Sequence, residues 1–157
     1  MIVKVYLCVG GDILDYKQIN TYLVDIFNKI MIIEEMSLKT SQFNDVSLKE
    51  MHTVDIIGKN ANVTPSDIAH ELLVTLGTVT TSLNKLEKKG YIERTRSQLD
   101  RRVVYLTLTQ KGRLLYRLHN RFHKNVVNRI TEAMDATELG ALEKGLRNLH
   151  QFLEGLV

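Results

Sequence analysis

The sequence has a single cysteine, a single proline and no tryptophan among its 157 residues. One cysteine excludes an internal disulfide and fits a reducing compartment, so we expect a cytoplasmic protein. No apolar run is long enough to cross a bilayer, so no membrane partner is predicted. Phosphate-binding glycine loops, metalloprotease and serine-hydrolase motifs, and paired carboxylates beside a nucleophile are also missing. We therefore predict neither an enzyme nor a resident cofactor.

Positive charge is concentrated in one segment of the chain. The net charge is only +3, but between Lys85 and Arg113 nine basic residues stand against three acidic ones, so the remainder is slightly acidic. A segment of this kind implies a polyanionic partner. The length and the hydrophobic fraction of 44% are those of one mostly helical, globular protomer with a substantial core.

The segment 62–112 has the pattern of two short helices, a sharp turn and a basic β-hairpin. Thr64 and Pro65 are a helix-start signal, because the threonine hydroxyl accepts from free N–H groups and proline at the first position loses no hydrogen bond. A second helix is predicted from about Thr75, and Gly90 after two lysines is typical of its end. Its inward side is apolar at helical spacing, with Leu76, Val79, Leu83 and Leu86.

The hairpin is predicted from two strand-like runs, Tyr91–Thr95 and Arg102–Thr107, around the polar tip Arg96–Asp100. Two helices followed by such a hairpin make a winged helix-turn-helix. The predicted fold class is therefore mainly α with a small β-hairpin wing (α+β), in which a helical dimerisation region accompanies the winged domain.

The outward face of the second helix carries short hydrogen-bonding side chains and a glycine, which suit a helix in the DNA major groove. The predicted DNA-binding residues of this helix are Thr75, Gly77, Thr78, Thr81, Asn84 and Lys85. The wing arginines, suited to phosphates or to a minor groove, are Arg94, Arg96, Arg101 and Arg102. Asp100 is predicted to position Arg101 or Arg102 through a salt link. The alternative is an ordinary solvated helix beside a charged turn, and the joint occurrence of the two elements in this order argues against it.

Longer helices are predicted on both sides of this segment. One begins at Asp15, a capping box at Ser47–Glu50 opens the next, Thr109 caps a third and the last begins at Ala136. The first and last helices carry apolar stripes that exceed what one protomer can cover, so we predict an intertwined homodimer. The alternative to a dimer is that these apolar stripes pack inside one protomer and close its internal core. Two-fold symmetry would place two recognition helices about one DNA turn apart on a palindromic site.

The hairpin and its surroundings resemble the MarR family of bacterial winged-helix repressors. The family signature is matched by Asp100, Arg101 and Arg102 and then by Leu108, Thr109 and Gly112. From Leu14 onward the chain is similar to members of this family that repress fatty-acid synthesis genes. The resemblance implies a homodimeric repressor on double-stranded DNA, with a long acyl chain on acyl carrier protein as corepressor. The role of the ligand as a corepressor comes from the resemblance alone.

The resemblance also implies a domain organisation. Residues 14–157 form one protomer, with residues 47–112 as the winged DNA-binding region and residues 14–46 and 113–157 as the helical dimerisation region. Residues 1–13 precede the similarity, and we expect them to be a leader or a non-native extension. A genuine segment that folds onto the body is the alternative.

The implied corepressor requires a tunnel for the acyl chain and a surface for the acidic carrier protein. The candidate tunnel residues are Ile30, Ile33, Met36, Leu38, Phe43, Met51 and Val54, for which plain core packing is the alternative. Candidate docking residues recur at three- to four-residue spacing after the wing, at Arg113, Arg117, Arg121 and Lys124. A solvated face or further contacts to DNA phosphates are the alternatives for that set.

Two histidines lead to a competing hypothesis. His119 and His123 are four residues apart and could share a zinc ion, with further ligands from His52, His70 or His150. A MarR-type regulator that responds to zinc or to another ligand is therefore the alternative function. No carboxylate lies nearby in sequence, so no metal site is predicted. If the protein were an architectural DNA-binding protein without a ligand, the long helices would have no function.

Overall fold

The computed structural model of the protein describes residues 8–9, 12–13 and 16–156. Its elements, in chain order, are β1 (Cys8–Val9), β2 (Asp12–Ile13), α1 (Tyr16–Lys39), α2 (Leu48–Lys59), α3 (Pro65–Glu71), α4 (Leu76–Lys88), β3 (Ile92–Arg96), β4 (Val104–Leu108), α5 (Gln110–Thr131) and α6 (Ala136–Glu154). This mainly helical architecture with a small hairpin wing confirms the predicted fold class. Within the described ranges, no helix is both long and apolar enough to span a membrane.

The chain divides into two compact units, residues 1–52 and residues 53–157. In the first unit, β1 and β2 pair as a short antiparallel hairpin. Apart from the backbone of these strands, the predicted leader of residues 1–13 lies outside the described residues and stays a prediction. The division into winged and dimerisation regions also stays a prediction.

The long helix α1 of the first unit displays apolar side chains on its surface. Tyr22, Phe27 and Met36 each expose more than half of their surface in the protomer. The predicted capping box then opens α2, because the Ser47 N–H donates to Glu50 Oε2 at 2.8 Å and the Glu50 N–H donates to Ser47 Oγ at 3.3 Å. The first helix thus carries the excess apolar surface that its sequence predicts.

The second unit has its core beneath α3, α4 and the hairpin of β3 and β4. Its most deeply buried side chains include Ile68, Leu83, Leu86, Tyr91, Ile92 and Leu106. The inward face predicted for α4 is confirmed at Val79, Leu83 and Leu86. It is wrong at Leu76, which is 50% exposed because it is the first residue of α4, before the helix has turned onto the core.

A capping box starts α3 where the sequence predicts. Thr64 Oγ1 accepts the Asp67 N–H at 3.3 Å, and Asp67 Oδ2 accepts the Thr64 N–H at 2.8 Å. The backbone and side-chain hydrogen bonds from Thr64 hold the pKa of the Asp67 carboxyl below its ordinary value of 3.8. The cap therefore stabilises the fold fully at pH values above the ordinary carboxyl pKa of 3.8. This stabilisation is lost as the pH falls through the lowered pKa of Asp67.

The turn between α3 and α4 closes with a Schellman motif. The Leu73 N–H donates to the His70 carbonyl at 3.2 Å, and the Val74 N–H donates to the Ala69 carbonyl at 3.1 Å. Leu73 adopts the left-handed conformation, with φ +52°, although it is not glycine. This tight turn sets the direction in which α4 leaves α3.

The wing is an antiparallel hairpin in which Ile92 of β3 pairs with Leu108 of β4. The predicted strands begin one and two residues too early, so Arg102 lies in the turn rather than in a strand. The tip explains the difference, because the Val103 N–H donates to the Asp100 carbonyl at 3.0 Å and closes a turn before β4 begins.

The two last helices begin at the predicted positions. Thr109 caps α5, where its hydroxyl oxygen accepts the Gly112 N–H at 3.1 Å. α5 ends at Thr131, a few residues earlier than predicted, and Asp135 caps α6 in a further capping box. No residue in the described part of α6 is buried in the protomer. Its exposed apolar side chains include Leu139, Leu146, Phe152 and Leu153.

Candidate DNA-binding surface

The outward face of α4 is a continuous strip of hydrogen-bonding groups. The predicted residues Thr75, Gly77, Thr78, Thr81, Asn84 and Lys85 are all exposed. They lie on the side away from the buried Val79, Leu83 and Leu86. Sequence reasoning missed Thr80 and Leu76, which are also exposed on this helix.

The hydroxyl groups of this strip are held in place by the helix itself. Thr75 Oγ1 accepts the Thr78 N–H at 3.3 Å as the N-cap and lies 2.9 Å from Thr78 Oγ1. Thr81 Oγ1 donates to the Gly77 carbonyl at 3.1 Å. Each hydroxyl oxygen keeps acceptor capacity, so the threonines can still contact a neighbouring molecule in a defined orientation.

Gly77 is not required by the packing of the protomer. A Cβ at this position would have only the Thr75 hydroxyl oxygen within 4 Å, at 3.9 Å. Glycine destabilises a helix relative to alanine, so its presence calls for a reason outside the protomer. We expect that reason to be a close approach of the α4 backbone to another molecule.

Arg94 connects the wing to α4. Its Nη1 donates to Glu87 Oε2 at 2.6 Å, and its Nη2 donates to Asn84 Oδ1 at 2.8 Å. Arginine has only donors, so the Asn84 carbonyl oxygen faces it and the amide nitrogen of Asn84 remains to meet an acceptor. Arg94 was predicted as a DNA contact, whereas in the protomer its guanidinium positions Asn84 and Glu87.

The wing tip corrects the role predicted for Asp100. Asp100 Oδ1 accepts the backbone N–H of Arg102 at 2.9 Å. Among the described residues, no ion pair joins this carboxylate to the side chain of Arg101 or Arg102. An Asx turn satisfies the carboxylate within the loop, so Asp100 shapes the tip through the main chain. Arg96, Arg101 and Arg102 are exposed.

The predicted acyl-tunnel residues differ in how deeply they are buried. The buried members are Leu38, Phe43, Met51 and Val54, whereas Ile30 is half-buried and Ile33 and Met36 are exposed. A large open cavity of the second unit is lined by none of them. Its lining mixes apolar residues such as Ile56, Val63 and Leu73 with the carboxylates of Asp67, Glu71 and Glu154. The tunnel stays a prediction.

The predicted docking residues are all exposed on α5, at Arg113, Arg117, Arg121 and Lys124. Arg113 also braces the wing, because its Nη1 donates to the Leu108 carbonyl at 2.6 Å. The other three follow one another at four- and three-residue steps and therefore share one side of the helix. Docking itself stays a prediction.

Sequence reasoning missed the contacts that hold these elements together. The Val63 carbonyl accepts the Leu106 N–H at 2.8 Å in an isolated bridge to the wing. Lys111 donates to the Lys89 carbonyl at 3.1 Å and lies 4.1 Å from the centre of the Tyr91 ring. Both contacts join residues far apart in the chain, so local patterns carry no signal for them.

The chain resembles known transcriptional regulators in both sequence and structure. The MarR family profile matches residues 46–104. The uncharacterised HTH-type transcriptional regulator YfiV of Bacillus subtilis is 31% identical over 111 residues, which cover 70% of this chain and 69% of that protein. The crystal structure of Streptococcus pneumoniae FabT in complex with DNA is 60% identical with a TM-score of 0.85, and the match covers 91% of this chain and 100% of that chain.

A more distant structure shares the fold. The S. aureus MepR–DNA complex is 23% identical with a TM-score of 0.68, and the match covers 87% of this chain and 96% of that chain. The family assignment depends on the nearer relatives, which are matched over most or all of their length. On these grounds, together with the recognition helix and wing described above, the chain belongs to the MarR family of winged helix-turn-helix transcriptional regulators.

Proposed function

We propose that the protein is a homodimeric repressor of fatty-acid synthesis genes, which binds a palindromic operator with a long acyl chain on acyl carrier protein as corepressor. The observation that carries this proposal is the 60% identity to Streptococcus pneumoniae FabT over the whole of that DNA-bound chain. The repressor would act in the cytoplasm on double-stranded DNA, without catalysis.

DNA recognition is assigned to α4 and the wing. Thr81 and Asn84 offer the short donors and acceptors that read base edges in a major groove. Gly77 allows the backbone of α4 to come close to the DNA. Arg101 and Arg102 at the wing tip reach phosphates or the adjacent minor groove.

Dimerisation is assigned to the long helices. Tyr22, Ile26 and Phe27 on α1 are each more than half exposed in the protomer, and so are Leu146 and Phe152 on α6. Clustered apolar surface of this kind marks an interface rather than a solvated face. A two-fold axis would then present two α4 helices to successive major grooves.

The corepressor is assigned to α5 and the predicted tunnel. Arg117, Arg121 and Lys124 form an exposed basic row that complements an acidic carrier protein. The acyl chain would favour the dimer geometry in which the spacing of the α4 helices fits the operator. This population shift requires that the chain bind that geometry more tightly than the alternative.

Arg101→Ala is expected to weaken binding to every DNA sequence by about the same factor. One phosphate contact is lost, so the slope of log K against log salt concentration should fall by about 1. Fluorescence anisotropy with an operator duplex and a scrambled duplex, at several salt concentrations, measures both effects.

The control is Arg129→Ala, which removes an arginine of α5 whose side chain is 83% exposed and pairs with Glu132. It should change neither affinity nor slope. Normal binding of both duplexes by the Arg101→Ala protein would show that the wing does not contact DNA there.

Palmitoyl–acyl carrier protein is expected to tighten operator binding by at least about fivefold, the lower end of typical coupling between two ligands. Joint replacement of Arg117→Glu and Arg121→Glu should abolish this tightening, because the row would repel the acidic carrier. Binding of DNA alone should be unaffected. Arg129→Glu with Lys144→Glu is the control of equal charge change.

Each outcome has a distinct meaning. DNA binding that is indifferent to the acylated carrier would reject the corepressor and leave a MarR-type regulator with another effector. If the Arg117→Glu, Arg121→Glu protein loses DNA binding without any carrier present, these arginines contact phosphates instead.

A further inference from the structure

An apolar patch interrupts the polar surface where α4 begins. It consists of Leu73, Val74 and Leu76, whose side chains are 65%, 40% and 50% exposed. Leu76 is the first residue of α4 and stands between Thr75 and Gly77 of the candidate DNA-binding strip. A single exposed leucine needs no explanation, whereas apolar side chains grouped on a binding face indicate a partner that covers them.

Thr80 extends this patch along the helix. It stands one turn after Leu76, so the two side chains are neighbours on one side of α4. Its Oγ1 donates to the Leu76 carbonyl at 2.8 Å, so the hydroxyl hydrogen is used within the helix. The exposed side chain therefore offers no donor to a partner, and its methyl group continues the apolar surface of Leu76.

The apolar patch is continuous with the residue to which base recognition is assigned. Leu76, Thr80 and Asn84 follow one another at four-residue steps, so they form one row along α4. At the far end of this row, Arg94 donates to the Asn84 side chain at 2.8 Å and holds its amide in one orientation. A partner that meets the Asn84 amide along this row therefore also meets Leu76.

The major groove of DNA offers one apolar group that matches a leucine. Its base edges present hydrogen-bond donors and acceptors together with the C5 methyl group of thymine. Phosphates are charged and hydrated, so an apolar side chain gains little by lying against them. The residues at the N-terminal end of a recognition helix are those that contact base edges, and Leu76 occupies that end of α4.

We propose that Leu76 contacts the C5 methyl group of a thymine in each operator half-site and is a specificity-determining residue of the protein. The contact removes apolar surface of both groups from water. It favours thymine over cytosine at that position, because cytosine has no C5 methyl group. This role of Leu76 rests on the proposed DNA recognition by α4, but on neither the proposed target genes nor the acyl corepressor.

The contact is tested by removing the methyl group from the DNA. An operator is first selected from random-sequence duplexes with the full-length parent protein, so that no target gene is assumed. Each thymine is then replaced by deoxyuridine, which keeps the base pair but lacks the methyl group. Fluorescence anisotropy should show a loss of affinity of about fourfold per half-site at one thymine position, the factor that corresponds to one buried methyl group.

Leu76→Ala should reduce this deoxyuridine penalty to less than about twofold, because the contact with the methyl group is already lost. The side chain is half exposed and alanine favours a helix, so the variant should melt at the temperature of the parent. Leu99→Ala is the matched control, because it shortens a fully exposed leucine at the wing tip in the same way. The wing is assigned to phosphates or to the minor groove, which presents no methyl group, so the full penalty should persist.

Two results would overturn the role of Leu76 while leaving the proposed function intact. One is a selected operator in which no thymine shows a deoxyuridine penalty with the parent protein. The other is an equal penalty in the parent and Leu76→Ala proteins, which would show that the methyl group acts without Leu76. If the parent enriches no duplex in the selection, sequence-specific DNA recognition is wrong, and the proposed function fails together with the contact.

Discussion

Gly112→Ala is expected to lower the free energy of unfolding by about 3 kcal/mol, at the upper end of overpacking effects. A Cβ at this position would lie 2.0 Å from the carbonyl oxygen of Tyr91 and 3.1 Å from its carbonyl carbon. The same carbonyl accepts the Thr109 N–H at 3.0 Å, so the clash can be relieved only by opening the joint between the wing and α5. Urea denaturation followed by circular dichroism measures the change.

Gly77→Ala is the matched control for this substitution. The nearest atom to the added Cβ is 3.9 Å away, so the variant should be as stable as the parent or gain up to about 1 kcal/mol from helix propensity. Its DNA binding should nevertheless weaken, because α4 could no longer approach the groove as closely. A Gly112→Ala protein of normal stability would contradict the close packing of α5 on Tyr91.

Asn84→Ala is expected to remove discrimination at one base pair of the operator, an effect of about 1–3 kcal/mol or roughly fivefold to 150-fold in relative affinity. The physical reason is that Arg94 holds the Asn84 carbonyl at 2.8 Å and so presents the amide in one orientation. Binding to a panel of operators that differ at single base pairs measures the loss. Affinity for unrelated DNA should stay the same.

Arg94→Ala separates the role that the structure assigns to Arg94 from the role that the sequence predicts. If Arg94 acts by positioning Asn84, the variant loses part of the same discrimination, and adding Asn84→Ala to it costs less than Asn84→Ala does alone. If Arg94 instead contacts a phosphate, all sequences are bound more weakly and the salt slope falls by about 1. Glu93→Ala, an exposed neighbour on β3, is the control.

The helix-turn-helix could be predicted closely because its signals are local. Thr64 caps α3 as expected, α4 begins next to the predicted start at Thr75, and the apolar spacing from Val79 to Leu86 selects the buried face. Capping and periodicity involve residues within one or two turns of each other, so both can be recognised without knowledge of the rest of the fold. The exposed strip, to which we assign the reading of bases, then follows as the opposite side of the same helix.

Strand bounds and the wing tip were predicted less accurately. The Asx turn at Asp100 keeps Arg102 out of β4, although the residue sequence there is also compatible with a strand. A carboxylate can accept hydrogen bonds from a neighbouring side chain or from the main chain, and the hairpin register determines which donor it meets. For Asp100 the donor is the Arg102 backbone N–H rather than an arginine side chain, so the predicted salt link is replaced by a backbone contact.

The class of fold, the recognition helix, the basic wing and the apolar helices that we assign to a dimer could all be predicted from the residue pattern. Three contacts could be seen only once the chain is folded: Arg94 donates to Asn84, Gly112 lies against the Tyr91 carbonyl, and Asp55 faces His119. Each of these contacts joins elements separated along the chain. Helical periodicity and caps describe what a residue does for its own helix, whereas the position of one helix against another depends on how all their side chains pack at once.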